Sequence, residues 1–143
     1  MVKPRKLIPL FVLGLLVFPA SAAEVTVEVR GIVSDKGTVR LKLCDSQGSG
    51  SAEVQCPHQG VLPAQAGEVL FRLPGVGAGT WSASAFHDEN ANGKFDRGLL
   101  GIPKEGYGFS RDARGRFGPP DFAATAFEVG AGDLKIAFSL IYP

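Results

Sequence analysis

Apolar and polar residues alternate through most of the chain beyond residue 23. In E-V-T-V-E-V-R, Val25, Val27 and Val29 share one face while Thr26, Glu28 and Arg30 share the other. That is the period-2 pattern of a half-buried strand. T-V-R-L-K-L-C repeats it, with Val39, Leu41 and Leu43 inward and Arg40 and Lys42 outward. Between the two lies S-D-K-G, Ser34 to Gly37, which predicts the turn of a hairpin, since glycine accepts positive φ without steric cost. E-V-L-F-R-L, from Glu68, and T-W-S-A-S-A-F, from Thr80, predict two further strands. In the second of these, Trp81, Ala83 and Ala85 share the inner face. A-T-A-F-E-V, from Ala124, and L-K-I-A-F-S-L-I-Y, from Leu134, close the chain, the last with Leu134, Ile136, Phe138 and Leu140 as an inner stripe. Six strands are clear, and a weakly apolar Val61-Leu62 marks room for a seventh. No stretch carries a 3.6-residue apolar period. Short alternating strands between turn signals predict an all-β chain folded as an antiparallel sandwich.

The first residues do not fit this pattern. M-V-K-P-R-K is basic, L-I-P-L-F-V-L-G-L-L-V-F (Leu7 to Phe18) is apolar, and Pro19 is followed by the small residues A-S-A-A. This order is that of a secretory signal peptide over residues 1–23, cleaved just before Ala23 or Glu24. Twelve apolar residues rise about 18 Å as a helix, short of the roughly 30 Å of a bilayer core. No other stretch is long and apolar enough to span. The expected mature chain, Glu24 to Pro143, suits one domain, periplasmic or secreted. Removing Lys3, Arg5 and Lys6 from 15 basic residues leaves 12 against 14 acidic, a net charge of −2. That balance gives no electrostatic case for nucleic acid or an anionic membrane. Two cysteines, Cys44 and Cys56, with eleven residues between them, predict a structural disulfide in an oxidising compartment.

Chemistry concentrates in H-D-E-N-A-N-G-K-F-D-R-G, His87 to Gly98. With Asp88 as position 1, Asn90 falls at 3, Asn92 at 5, Gly93 at 6, Lys94 at 7 and Asp96 at 9. This reproduces the first half of a calcium loop, D-x-[DN]-x-[DN]-G. Calcium takes six to eight hard oxygens, and alternate residues of a curled loop aim theirs at one centre. The expected ligands are Asp88, Asn90, Asn92, the Lys94 carbonyl and Asp96. Position 12 is Leu99, not a bidentate Glu, and no helix flanks the loop, so an EF-hand pair is excluded. Glu105 is available as a further carboxylate. The alternative is an Asx-rich turn whose side chains cap its own backbone.

A long Gly-rich and Pro-rich loop follows, to about Phe122. Its aromatic residues, Tyr107, Phe109, Phe117 and Phe122, argue against disorder. They suit a satellite core or, with Glu105, Arg111, Arg114 and Arg116, a ligand or partner surface. H-D-E-N-A-N-G-K-F-D, L-G-I-P-K-E-G-Y-G-F-S, R-F-G-P-P-D-F and A-F-E-V together resemble the bacterial secreted family called domain of unknown function 2141. That family is similar to transthyretin-like and prealbumin-like sandwiches. The resemblance covers nearly all of the expected mature chain and implies seven strands in two sheets, an Ig-like architecture. It implies no biochemical role, and it does not include the cysteine pair.

Two function classes follow. One is an exported, non-enzymatic sandwich, stiffened by calcium, that binds an envelope protein, glycan or small ligand through the long loop. The other is a small extracytoplasmic hydrolase using His87 with Ser110 or a loop carboxylate. Ser82 and Ser84 share a strand with His87 but fall on its opposite face. Two histidines cannot supply a three-His zinc site, and neither a phosphate loop nor a dinucleotide fingerprint is present.

Overall fold

The computed structural model describes residues 2–4, 14, 22–45 and 56–143. The apolar run Leu7–Phe18, Gly14 apart, and most of the loop between the cysteines lie outside the described residues. Among the described residues eight strands form two sheets: β1 (Ala23–Ile32), β2 (Thr38–Asp45), β3 (His58–Pro63), β4 (Gly67–Val76), β5 (Gly79–Asp88), β6 (Tyr107–Phe109), β7 (Phe127–Val129) and β8 (Leu134–Ser139). One sheet has the order β4-β1-β8 and the other β3-β2-β5-β6, with β7 also paired to β5. The alternating stripes meet between the sheets. Val25, Val27, Val29, Val39, Leu41, Leu43, Val69, Phe71, Leu73, Trp81, Ala83, Ala85 and Phe138 are all buried there. Each large apolar side chain so placed stabilises the fold by about 1.5–3 kcal/mol. The chain is a β-sandwich, as the alternation predicts.

Four details differ from the sequence reading. Ser34–Gly37 is not a hairpin turn: β1 pairs with β4 and β8, and β2 with β3 and β5. Alternation reports which face is buried, not which neighbour a strand takes, so two strands facing across a core look like two strands side by side. Gly37 is needed for another reason besides its φ of +69°: a Cβ there would collide with the Asp88 and Glu89 carbonyls. β1 and β8 run parallel, so the sandwich is largely rather than wholly antiparallel. Ala124 and Thr125 belong to a short helix, α1 (Phe122–Thr125), ahead of a β7 of three residues. Finally, the described residues form eight strands instead of seven, because the long loop contributes β6.

β1 begins at Ala23, which is buried and paired with Val76. Cys44, at the end of β2, is disulfide-bonded to Cys56, tying the loop ahead of β3 to the sheet. Among the described residues no helix is long and apolar enough to cross a membrane.

Candidate acidic loop and aromatic cleft

β5 delivers the site. Its inward stripe, Trp81-Ala83-Ala85, continues to His87, whose side chain is fully buried. His87 Nε2 lies 2.6 Å from the Lys36 carbonyl and Nδ1 2.8 Å from the Tyr142 hydroxyl. A carbonyl only accepts, so Nε2 carries the hydrogen, and in the neutral ring Nδ1 then accepts from Tyr142. Burial raises the pKa of that phenol above its ordinary value, which keeps it a donor. His87 thereby pins the β1–β2 connection against the end of β5.

Asp88 follows and is also fully buried. Its Oδ1 accepts the Asn92 N–H at 3.1 Å, and its Oδ2 accepts the Gly93 N–H at 2.8 Å and Arg40 Nε at 3.1 Å. Arg40 reaches it from the outer face of β2. These donors compensate a buried carboxylate that would otherwise be costly. Gly93 takes φ +77°, the reversal that brings its N–H to Asp88 and that a side chain would disfavour.

The remaining polar residues close on one another. Asn90 Oδ1 accepts the Asn92 N–H at 3.2 Å, and Asn92 Oδ1 accepts the Lys94 N–H at 2.9 Å. Both asparagine amides donate to Asp96, at 2.8 and 2.9 Å. The Asn92 and Asn90 donors hold the Asp96 carboxyl below its ordinary range. Asp96 also joins this loop to the next one. Its N–H donates to Glu105 Oε2 at 3.1 Å, and its carbonyl accepts the Lys104 N–H at 3.0 Å. Glu105 is buried, and burial, with the Asp96 and Asp88 carboxylates adding to it, raises its pKa.

Asp88, Asn90, Asn92 and Asp96 are therefore brought together, with Glu105 at their edge. Every side-chain acceptor among them is a hard oxygen, the donor set calcium prefers. Among the described residues no three His, Cys, Asp or Glu side chains cluster as a metal cage, so amide and carbonyl oxygens would have to complete any coordination.

Past Asp96 the chain returns to the β2–β5 sheet and adds β6 beside β5. Phe86, Phe95, Tyr107 and Phe109 make a continuous aromatic row, with centroids 5.3, 5.7 and 6.2 Å apart in turn. Arg97 stacks its guanidinium 5.0 Å over Phe95. Phe95, Tyr107 and Phe109 line an open cleft of ≈ 530 Å³, together with Arg116 and Phe117. Arg114 borders a smaller recess beside it. Of the aromatic residues expected to pack as a satellite core, Tyr107 and Phe109 are half-buried, whereas Phe117 is fully exposed. Glu105 is turned away to Asp96. Sequence reasoning missed Phe95 and Arg40. An apolar residue inside so polar a loop was a usable signal for Phe95; Arg40 is one polar residue on an alternating strand and carries none.

His87 and Ser110 do not form a nucleophile–base pair. Ser110 Oγ donates to the Thr125 carbonyl at 2.6 Å and accepts the Ala83 N–H at 3.0 Å, while both His87 nitrogens are engaged elsewhere. Glu89 lies 3.8 Å from His87 Nδ1, but a fully buried imidazole offers a substrate no approach.

No curated protein and no solved structure matched the chain. The profile of the family described as "Uncharacterized protein conserved in bacteria (DUF2141)" matches residues 27–137, from β1 into β8, and the chain belongs to that family.

Proposed function

We propose that this is an exported, non-enzymatic binding module in which a calcium ion in the Asp88–Asp96 loop stiffens the neighbouring long loop, and that the long loop carries the binding face for an envelope or extracellular partner. The observation behind this reading is the double role of Asp96. Its side chain belongs to the acidic cluster, while its backbone holds Lys104 and Glu105. An ion taking Asp88, Asn90, Asn92, the Lys94 carbonyl and Asp96 would fix the base from which residues 97–119 project. The disulfide fits an oxidising compartment, which supports export.

Thermal melts in chelator, then in millimolar calcium or magnesium, test it. Calcium at a hundred times its dissociation constant should add about 2.7 kcal/mol. Magnesium should add less, since it demands octahedral geometry and gives up water reluctantly. Asp96→Ala should remove the calcium increment and Glu89→Ala should spare it. Asp96 is the better probe than Asp88, whose loss would also leave Arg40 and two backbone N–H groups unpaired. A melting curve indifferent to calcium makes the loop a self-capped polar turn.

A further inference from the structure

The cleft beside the aromatic row has three features that together define a ligand class. Its floor, Phe95 and Tyr107, is aromatic, and its lips, Leu100, Ile102 and Phe117, are apolar. Those lips are 93 %, 56 % and 102 % exposed, three large apolar side chains left in water around one cavity. Scattered exposed apolar residues are ordinary, but a cluster around a concavity marks a binding site. Leu100 also sits at φ +60°, a conformation that leucine rarely adopts, and burial gives it nothing in return.

The rim carries charge of one sign. Arg97 and Arg116 line the cleft, and no carboxylate does. Arg97 spends one Nη on the Gly101 carbonyl at 3.2 Å and lies over Phe95. This positions the guanidinium while leaving it further N–H donors. Arg116 makes no ion pair among the described residues. The cleft volume, ≈ 530 Å³, falls within the roughly 300–1,000 Å³ of small-ligand sites. Strand addition by an extended peptide is not open here, because Tyr107 is paired with Phe86 on one side and with Ile141 on the other.

We propose that the cleft binds a single-chain anionic amphiphile, its aliphatic body between Leu100, Ile102 and Phe117 on the aromatic floor and its carboxylate or phosphate head on Arg97 and Arg116. This rests on the reading of the long loop as the binding face, and not on the calcium ion.

Titration calorimetry of the purified protein with dodecanoate, below the concentration at which it self-associates, tests the site. Saturable one-to-one binding is expected, weakening about fourfold for each buried methylene removed in decanoate and octanoate. Dodecanol and dodecyltrimethylammonium should bind at least tenfold more weakly. Arg116→Gln should bring dodecanoate towards the affinity of dodecanol, and Phe117→Ser should weaken dodecanoate and dodecanol alike. Both side chains are exposed, so neither change threatens the fold. Absence of saturable binding, equal binding of the three head groups, or indifference to Arg116→Gln overturns the proposal. So does binding to phosphatidylglycerol vesicles without binding of monomeric dodecanoate, which would make the lips a membrane contact. Titrating in chelator and again in calcium separates the two readings. Calcium stabilisation without dodecanoate binding rejects this inference alone, and dodecanoate binding without a calcium response rejects only the ion.

Discussion

Trp81 packs its indole between the sheets, 7 % exposed, with Nε1–H donating to the Gly77 carbonyl at 2.9 Å and His58 edge-on at 5.4 Å. Replacement by Ala removes a large buried side chain and strands the Gly77 acceptor. A loss of about 3–5 kcal/mol is expected by denaturant titration; unchanged stability would move Trp81 out of the core. At this scale the sequence was informative wherever a residue's role followed from its neighbours. Trp81 two and four residues from Ala83 and Ala85 reads as core, and Asp88, Asn90, Asn92, Gly93 and Asp96 read as one curled loop. The partners that satisfy those groups were not legible. Arg40 meets Asp88 across 48 positions of sequence, and Tyr142 meets His87 across 55. Pairing at that range is decided by strand order, which no local pattern encodes.

Elements were legible in proportion to their burial. β1, β2, β4 and β5 each expose one face to the core and so alternate cleanly. β3 does not, because H-Q-G-V-L-P contains glycine and proline, both depleted in strands. Gly60 stands where Phe71 of β4 closes the side of the sandwich, and a Cβ there would lie 2.7 Å from the ring. Gly60→Val should therefore destabilise by about 1–3 kcal/mol through overpacking, as read from the denaturation midpoint. If it is neutral, β3 and β4 are less closely apposed than described. β6, three residues inside a long loop, gave no pattern at all.

The outer face of the β4-β1-β8 sheet carries a different device. Glu28 accepts from Arg30 at 2.8 Å and from Lys135 at 3.1 Å. The Arg30 hydrogen bond is the first reason that its pKa is lowered to about 2, with Glu68 and Lys135 contributing. Glu68, in turn, is raised because it shares a hydrogen bond with Glu28. A folded pKa below the unfolded value means stability that is present above about pH 4.5 and lost as pH falls through about 2. Glu68 works in the opposite sense, since the fold favours its protonated form. The stability difference between the native chain and Glu28→Gln should accordingly be largest near neutral pH and shrink towards pH 2. A difference that holds constant across that window would show that Glu28 acts by packing alone.

At the scale of the whole molecule, one sandwich presents two adjoining loops, one at the end of β5 and one that adds β6 beside it. The acidic loop is short, self-bonded and anchored by buried Asp88. The long loop is held at its base by Asp96, by the Gly98 N–H to the Ile102 carbonyl at 2.7 Å and by the Arg97–Pro103 bridge. Beyond that base, Leu99, Leu100 and Phe117 stand in water. A rigid β framework carrying a variable surface loop is a common way to place a binding face, and the fold alone does not say what is bound.

The central claim is that calcium at the first loop orders the second. Hydrogen exchange of the backbone amides of Asp96, Gly98 and Lys104, followed in chelator and in saturating calcium, measures it at the residues that join the two. These amides should exchange markedly more slowly with calcium, while the amides of buried core residues such as Val27 and Leu41, whose exchange should require global opening, should slow only as far as the whole fold is stabilised. Equal exchange at Asp96, Gly98 and Lys104 in the two conditions would contradict the claim.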